Sequence, residues 1–166
     1  MFDFPPRNTD ASSVTPALSK AFLNRVGVDA GSATVLVIED DPGVRHLARR
    51  TLESVGYQVL EAVDGVEGMK LVEEHASQLN LVVTDIEMPR LDGISVARTI
   101  SVKYPHIGVI CMSGRLTETT FQAAITRPLP PFLAKPFSVD DLARTTSETI
   151  ARFQQRGAFP EAQRSG

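Results

Sequence analysis

The chain has a single cysteine, Cys111, in 166 residues. One thiol excludes a disulfide framework within the chain and fits a reducing compartment. No apolar run approaches the ~18 residues needed to cross a bilayer. The opening MFDFPPRNTD lacks a basic stretch followed by an apolar one, so no secretory signal is read there. The expected location is the cytoplasm, with no membrane contact. Basic residues are not in excess: 17 Lys and Arg against 20 Asp and Glu leave a net charge of −3, without the electrostatic footprint of a nucleic-acid binder. The histidines, His46, His75 and His106, share no metal-ligand spacing. No Gly-rich loop ending in Lys-Ser/Thr is present, which excludes that mode of nucleotide binding.

What is there is a globular composition, 42% hydrophobic and 22% charged, in a chain long enough for one domain with extensions. Residues 1–33 carry Pro5, Pro6, Pro16, Gly27 and Gly31 and no apolar strand. Leu18, Phe22, Leu23 and Val26 fall on one helical face, so this stretch reads as a flexible extension or a short amphipathic helix. Regular patterning then begins. Val35 to Ile38 is a β-branched run of the kind found in a strand covered on both faces. Asp41-Pro42 reads as an N-cap with proline at the first helical position. Val44, Leu47, Ala48, Leu52 and Val55 recur at helical spacing until Gly56. The alternation continues with a strand over Tyr57–Leu60, a helix over Gly65–His75, a strand at Leu81–Val83 and a helix over Gly93–Lys103. A strand at Ile107–Cys111, a shorter helix over Leu116–Ile125 and a strand at Phe132–Ala134 follow. The last helix is capped by Ser138 and marked by Leu142, Thr146, Ile150 and Phe153. Strict strand–helix alternation predicts an α/β fold, a doubly wound five-stranded parallel sheet with helices on both faces.

In such folds ligands bind beyond the C-terminal ends of the strands. Glu39, Asp40 and Asp41 follow the first strand, Asp85 the third, Ser113 the fourth and Lys135 the fifth. The topology therefore gathers acids, a hydroxyl and an amine on one rim. Carboxylates so close raise one another's pKa or require a cation. Magnesium favours one or two carboxylates with phosphate oxygens and water. A carboxylate beside it can attack phosphorus to give an acyl phosphate. Lys135 and the Ser113 hydroxyl suit the remaining phosphate oxygens.

The combined motifs resemble the receiver domains of two-component response regulators. Val35-Leu-Val-Ile-Glu39-Asp40-Asp41-Pro42 is similar to their acidic opening, and Asp85-Ile86-Glu87-Met88-Pro89-Arg90-Leu91-Asp92-Gly93 to their phosphoacceptor loop. Cys111-Met112-Ser113-Gly114 resembles the switch hydroxyl with its small neighbour, and Phe132-Leu133-Ala134-Lys135-Pro136-Phe137 the terminal lysine–proline motif. The resemblance implies a flavodoxin-like receiver fold over residues 34–153, with an N-terminal extension at 1–33 and a tail at 154–166. It implies that Asp85 accepts a phosphoryl group from a phosphohistidine on a sensor histidine kinase or histidine phosphotransfer protein. Glu39, Asp40, Asp85 and the Glu87 carbonyl would hold Mg2+, while Ser113 and Lys135 engage phosphate. Phe132 takes the switch aromatic position, and Lys135-Pro136 the cis peptide. Signalling would pass by protein contact to a downstream target, from a monomer or weak homodimer that is not a turnover enzyme. No room for an output domain remains after residue 153, so a single-domain regulator is expected.

Two departures carry expectations of their own. Phe132 lacks the hydroxyl of a tyrosine at that position. Pro128, Pro130 and Pro131 cannot continue a helix, which bears on the length of the fourth helix. Glu87 and Arg115, each two residues past a key position, are expected to pair across the pocket mouth. His46, Asp64, Asp92 and Cys111 read as surface, cap or core positions. Two other readings stay open: an aspartate-nucleophile phosphatase of the haloacid dehalogenase type, and a receiver-like module that binds without phosphorylation.

Overall fold

The computed structural model describes residues 33–125 and 129–155. The elements are β1 (Thr34–Ile38), α1 (Pro42–Val55), β2 (Gln58–Ala62), α2 (Gly65–His75) and β3 (Leu79–Asp85), then α3 (Gly93–Lys103), β4 (Gly108–Ser113), α4 (Glu118–Ala124), β5 (Phe132–Ala134) and α5 (Val139–Gln155). The five strands are parallel in the order β2-β1-β3-β4-β5. The chain winds outward in one direction from β1 to β2 and in the other from β3 to β5. The strand order therefore reverses between β1 and β3, which opens a crevice at their C-terminal ends.

The strand residues alternate between two apolar layers. Val35, Val37, Leu81, Val83, Ile110, Met112 and Leu133 face α1 and α5, where they meet Ala48, Leu52, Val55, Leu142 and Ile150. Leu36, Ile38, Val82, Val109 and Cys111 face α2, α3 and α4, against Val72, Val96, Ile100 and Phe121. Each fully buried aliphatic side chain contributes about 1.5–3 kcal/mol relative to exposure. The central strands are therefore clamped from both sides.

Helix ends are set locally. The Asp41 side chain accepts the Val44 N–H at 2.9 Å to start α1, with Pro42 just inside. Gly56 ends it at φ 109°. Its N–H donates to the Glu53 carbonyl and that of Tyr57 to Leu52, at 3.0 and 3.2 Å. This pairing is a Schellman motif, in which a left-handed residue favours glycine. It spends Tyr57 on the cap, so β2 starts at Gln58, one residue later than the apolar pattern suggests. Asp64, Asp92 and Thr117 cap α2, α3 and α4, and Ser138 Oγ accepts the Asp141 N–H at 3.1 Å to open α5.

Three differences from the sequence reading have physical causes. On α1 the buried stripe is Ala48, Thr51, Leu52 and Val55, while Leu47 is 46% exposed. Leu47 lies to the side of the line that runs from 48 through 51 and 52 to 55. In β3 an irregularity opposite Thr34 and Val35 places Leu79 and Leu81 in opposite layers. There the Asn80 side chain accepts the Thr34 N–H at 2.8 Å. Finally, α4 is only seven residues long. Ser113 Oγ takes the Arg115 and Leu116 N–H groups before the helix begins, and Ile125 is already extended. The proposed amphipathic face Leu18–Val26, residues 126–128 and most of the C-terminal tail lie outside the described residues.

Candidate functional site

The crevice between β1 and β3 receives its residues from strand ends. Asp85 is the last residue of β3, paired with Met112 of β4 and 3% exposed. Its position is enforced from below by Gly93. A Cβ there would lie 2.0 Å from the Asp85 carbonyl oxygen, so the first turn of α3 can approach only as glycine. The Gly93 N–H donates to the Ile86 carbonyl at 3.0 Å and closes the base of the loop.

Glu39 and Asp40 leave β1 in opposite directions. Glu39 turns inward and is 1% exposed, whereas Asp40 is exposed. Glu39 Oε1 accepts the Asp41 N–H at 3.2 Å, and Oε2 accepts Lys135 Nζ at 2.6 Å. Lys135 also donates to Asp85 Oδ1 at 2.9 Å. One ammonium thus bridges the two buried carboxylates from the far end of β5, and the Lys135–Pro136 bond beside it is cis. Carboxylate oxygens of Glu39, Asp40 and Asp85 all lie within 4.8 Å of one another. Such a hard-oxygen donor set, part buried and part open to water, fits a hard divalent cation.

The electrostatics follow from this crowding. Burial raises the Glu39 pKa above its ordinary carboxylate value, helped by the charge of Asp85 and only partly opposed by Lys135. Burial works against the Lys135 charge too, but its hydrogen bonds to Glu39 and Asp85 and their negative charges outweigh it. The Lys135 pKa is therefore raised.

The hydroxyl side is built differently. Ser113 ends β4 and is 1% exposed. Its Oγ accepts the N–H groups of Arg115 and Leu116 at 3.1 and 2.8 Å, which leaves the hydroxyl hydrogen to donate. Its carbonyl accepts the Lys135 N–H at 2.8 Å, so hydroxyl and lysine are coupled through adjacent strands. Phe132 is half-buried, with its ring 5.0 Å from that of Phe121 on α4 and tilted by 32°. The two rings help line an open groove of about 200 Å³ between α4, β5 and α5.

Glu87 is half-buried and Arg115 exposed. No ion pair joins them among the described residues. The expected bridge across the mouth is absent: the Arg115 N–H donates to Ser113 Oγ, and the residue is exposed. Asp92 caps α3 as expected, and Cys111 is fully buried, its thiol pushed up to about 12 by desolvation. Sequence reasoning missed Arg45, whose guanidinium donates to the Glu39 carbonyl at 2.7 Å and braces the turn carrying the acids. It also missed Arg90, which pairs with Asp64 from the adjoining loop. Neither contact has a local sequence signal.

A family model described as the response regulator receiver domain matches residues 35–147. The chain is 39% identical over 128 residues to the sensor kinase CckA of Brucella abortus (strain 2308), which is 74% of this chain and 13% of that protein. It is 32% identical over 127 residues to the response regulator MprA of Mycobacterium bovis (strain BCG / Pasteur 1173P2), covering 76% of this chain and 54% of that one. The chain thus spans about half or less of these curated relatives. Among solved structures, a response regulator receiver domain protein from Clostridium thermocellum matches with a TM-score of 0.69 at 29% identity, over 75% of this chain and 98% of the other. The receiver domain of the hybrid histidine kinase CckA matches with a TM-score of 0.59 at 31% identity, over 71% and 99%.

Proposed function

Because the chain belongs to the response-regulator receiver family, we propose that it accepts a phosphoryl group on Asp85 from a phosphohistidine and signals by protein contact. The observation that carries this reading is the Asp85 carboxylate itself. It is buried at the end of β3, held by Lys135 at 2.9 Å and gathered with Glu39 and Asp40 within 4.8 Å.

In the transfer, an Asp85 carboxylate oxygen attacks phosphorus, the P–N bond to the donor imidazole breaks, and an acyl phosphate forms. Asp40, the free oxygen of Asp85 and the Glu87 carbonyl would hold Mg2+, with Glu39 acting from behind through Asp41 and Lys135. Bound there, the ion neutralises charge on the transferring group. Lys135 compensates charge on the opposite side, moving from the Glu39–Asp85 pair toward the phosphoryl oxygens. Ser113 donates its hydroxyl hydrogen to another oxygen while its lone pairs keep the Arg115 and Leu116 amides. A shift of Ser113 reaches β5 through the Lys135 N–H, and from there Phe132. The donor would be a sensor histidine kinase or a histidine phosphotransfer protein, in the cytoplasm, and the protein a monomer or weak homodimer. Relatives named as a sensor kinase and as a response regulator support both a relay step and an output role. The protein acts as a phosphorylated signalling module rather than a turnover enzyme.

Incubation with a small acyl phosphate and Mg2+ tests this. Wild type should gain one phosphoryl group by intact mass, and Asp85→Asn none. Equal labelling of the two proteins overturns the assignment, and continuous release of phosphate over many turnovers favours a phosphatase.

A further inference from the structure

The loop from Asp85 to Gly93 is closed at its base by the glycine contact, but its outer part is held by a different device. Arg90 is the one non-glycine residue among those described with a positive φ, at 70°. A left-handed conformation costs such a residue roughly 1 kcal/mol, so something in the fold selects it. Its guanidinium pairs with the carboxylate of Asp64. The Asp64 side chain is only 2% exposed, and its two oxygens have divided tasks. Oδ1 accepts the Val66 and Glu67 N–H groups at 2.8 and 3.0 Å, capping α2. Oδ2 accepts no hydrogen bond and has the Arg90 guanidinium as its ion-pair partner.

The two loops also meet at backbone level. A Cβ on Gly65 would lie 2.3 Å from the Leu91 carbonyl oxygen. The β3–α3 loop is therefore pressed against the start of α2, with Arg90 reaching across. Cap geometry alone does not need this arginine, because Asp64 Oδ1 completes the cap by itself.

We propose that the Arg90–Asp64 ion pair is a positioning clamp that holds the 86–91 loop, and with it the Glu87 carbonyl, in the conformation that receives Mg2+. This rests on the reading of the Glu39–Asp40–Asp85 cluster as a magnesium site. Arg90 is a positioning residue: it touches neither the ion nor the phosphoryl group, and acts through the loop on which it sits. Outer partners that orient ligands commonly change metal affinity when removed.

The test is calorimetric titration of the full chain with Mg2+ alone, together with amide exchange of the loop. Arg90→Gly removes the guanidinium and keeps the left-handed backbone free of strain. Asp64→Asn removes the charge and keeps an N-cap acceptor. Each should weaken Mg2+ binding roughly tenfold and speed amide exchange at residues 86–91. The double variant should go no further than either single one, because the two residues act as one unit. Arg90→Lys should restore most of the affinity. Thermal melting separates a merely structural role, which lowers the melting temperature of both variants and leaves Mg2+ affinity within about twofold of wild type. That result, or strictly additive losses, overturns the clamp. If wild type itself binds no Mg2+, the magnesium reading and the clamp fall together, whereas binding that ignores both substitutions removes the clamp alone.

Discussion

The two halves of the rim hold their residues by opposite means. On the β1–β3 side the acids are set by close packing: both strands are covered on both faces, Asp85 is pinned by the backbone of α3, and Glu39 has a partner on each oxygen. On the β4–β5 side the hydroxyl ends β4 and the lysine follows β5, an edge strand of only three residues beside a seven-residue helix. There Phe132 is only half-buried, and an open groove lies alongside. The first half is held from every side, and the second is open along its edge.

Glycines at the two sides expose that difference most strongly. Gly93→Ala would press a methyl group into the Asp85 carbonyl at 2.0 Å, whereas the same methyl on Gly114 would meet nothing closer than Lys135 Cβ at 3.7 Å. Urea denaturation should show a loss of about 3 kcal/mol for Gly93→Ala and a change within about 0.5 kcal/mol for Gly114→Ala. Similar losses for both would erase the contrast.

Lys135 is where the halves join. Lys135→Met removes the ammonium that lowers the Glu39 pKa and leaves burial and Asp85, which raise it, with only the Asp41 N–H still opposing them. The Glu39 carboxyl should therefore titrate at still higher pH, read by carbon NMR. In wild type the raised Glu39 pKa means that the folded state binds this proton more tightly than the unfolded state. Its contribution to stability falls as pH rises from the ordinary 4.5 through the folded value. The raised Lys135 pKa acts in the same sense at the alkaline end. Its stabilisation is complete below 10.5 and is lost as pH passes the folded value. An unchanged Glu39 titration in Lys135→Met would break the proposed coupling of the two sides.

The smallest effect concerns the more open side. Arg98 of α3 donates to the Ala124 carbonyl at the end of α4, at 2.7 Å on an exposed surface. Arg98→Ala should cost about 0.5–1 kcal/mol and accelerate amide exchange in α4 while α3 stays protected. Equal acceleration in both helices would mean that α4 is not the looser element.

Much of this was readable from the chain alone. The ranges of α2, α3 and β5 coincide with the sequence reading, because caps and glycines act within a few residues of their own positions. Asp64-Gly65, Asp92-Gly93 and the Gly56 stop are all of this kind. The β4 strand was read two residues short. Met112 and Ser113 look like the beginning of a loop, and only pairing of Met112 with Asp85 and Leu133 and of Ser113 with Ala134 makes them strand. The length of α4 was equally hidden, since Thr117 caps it two residues from Arg115 and Ile125 is already extended.

The sequence by itself determined the alternation of strands and helices, and therefore which end of the sheet carries Glu39, Asp40, Asp85, Ser113 and Lys135. Period and topology suffice for that, because a parallel sheet puts every strand end on one rim. Only the tertiary structure decided which acid is buried and which is open, and that Lys135 bridges Glu39 and Asp85. It also decided that Arg115 leaves Glu87 unpaired and that Arg90 crosses to Asp64. Those outcomes depend on side chains distant in sequence competing for the same few ångströms, and desolvation and packing select among the available partners in a way that spacing along the chain does not record.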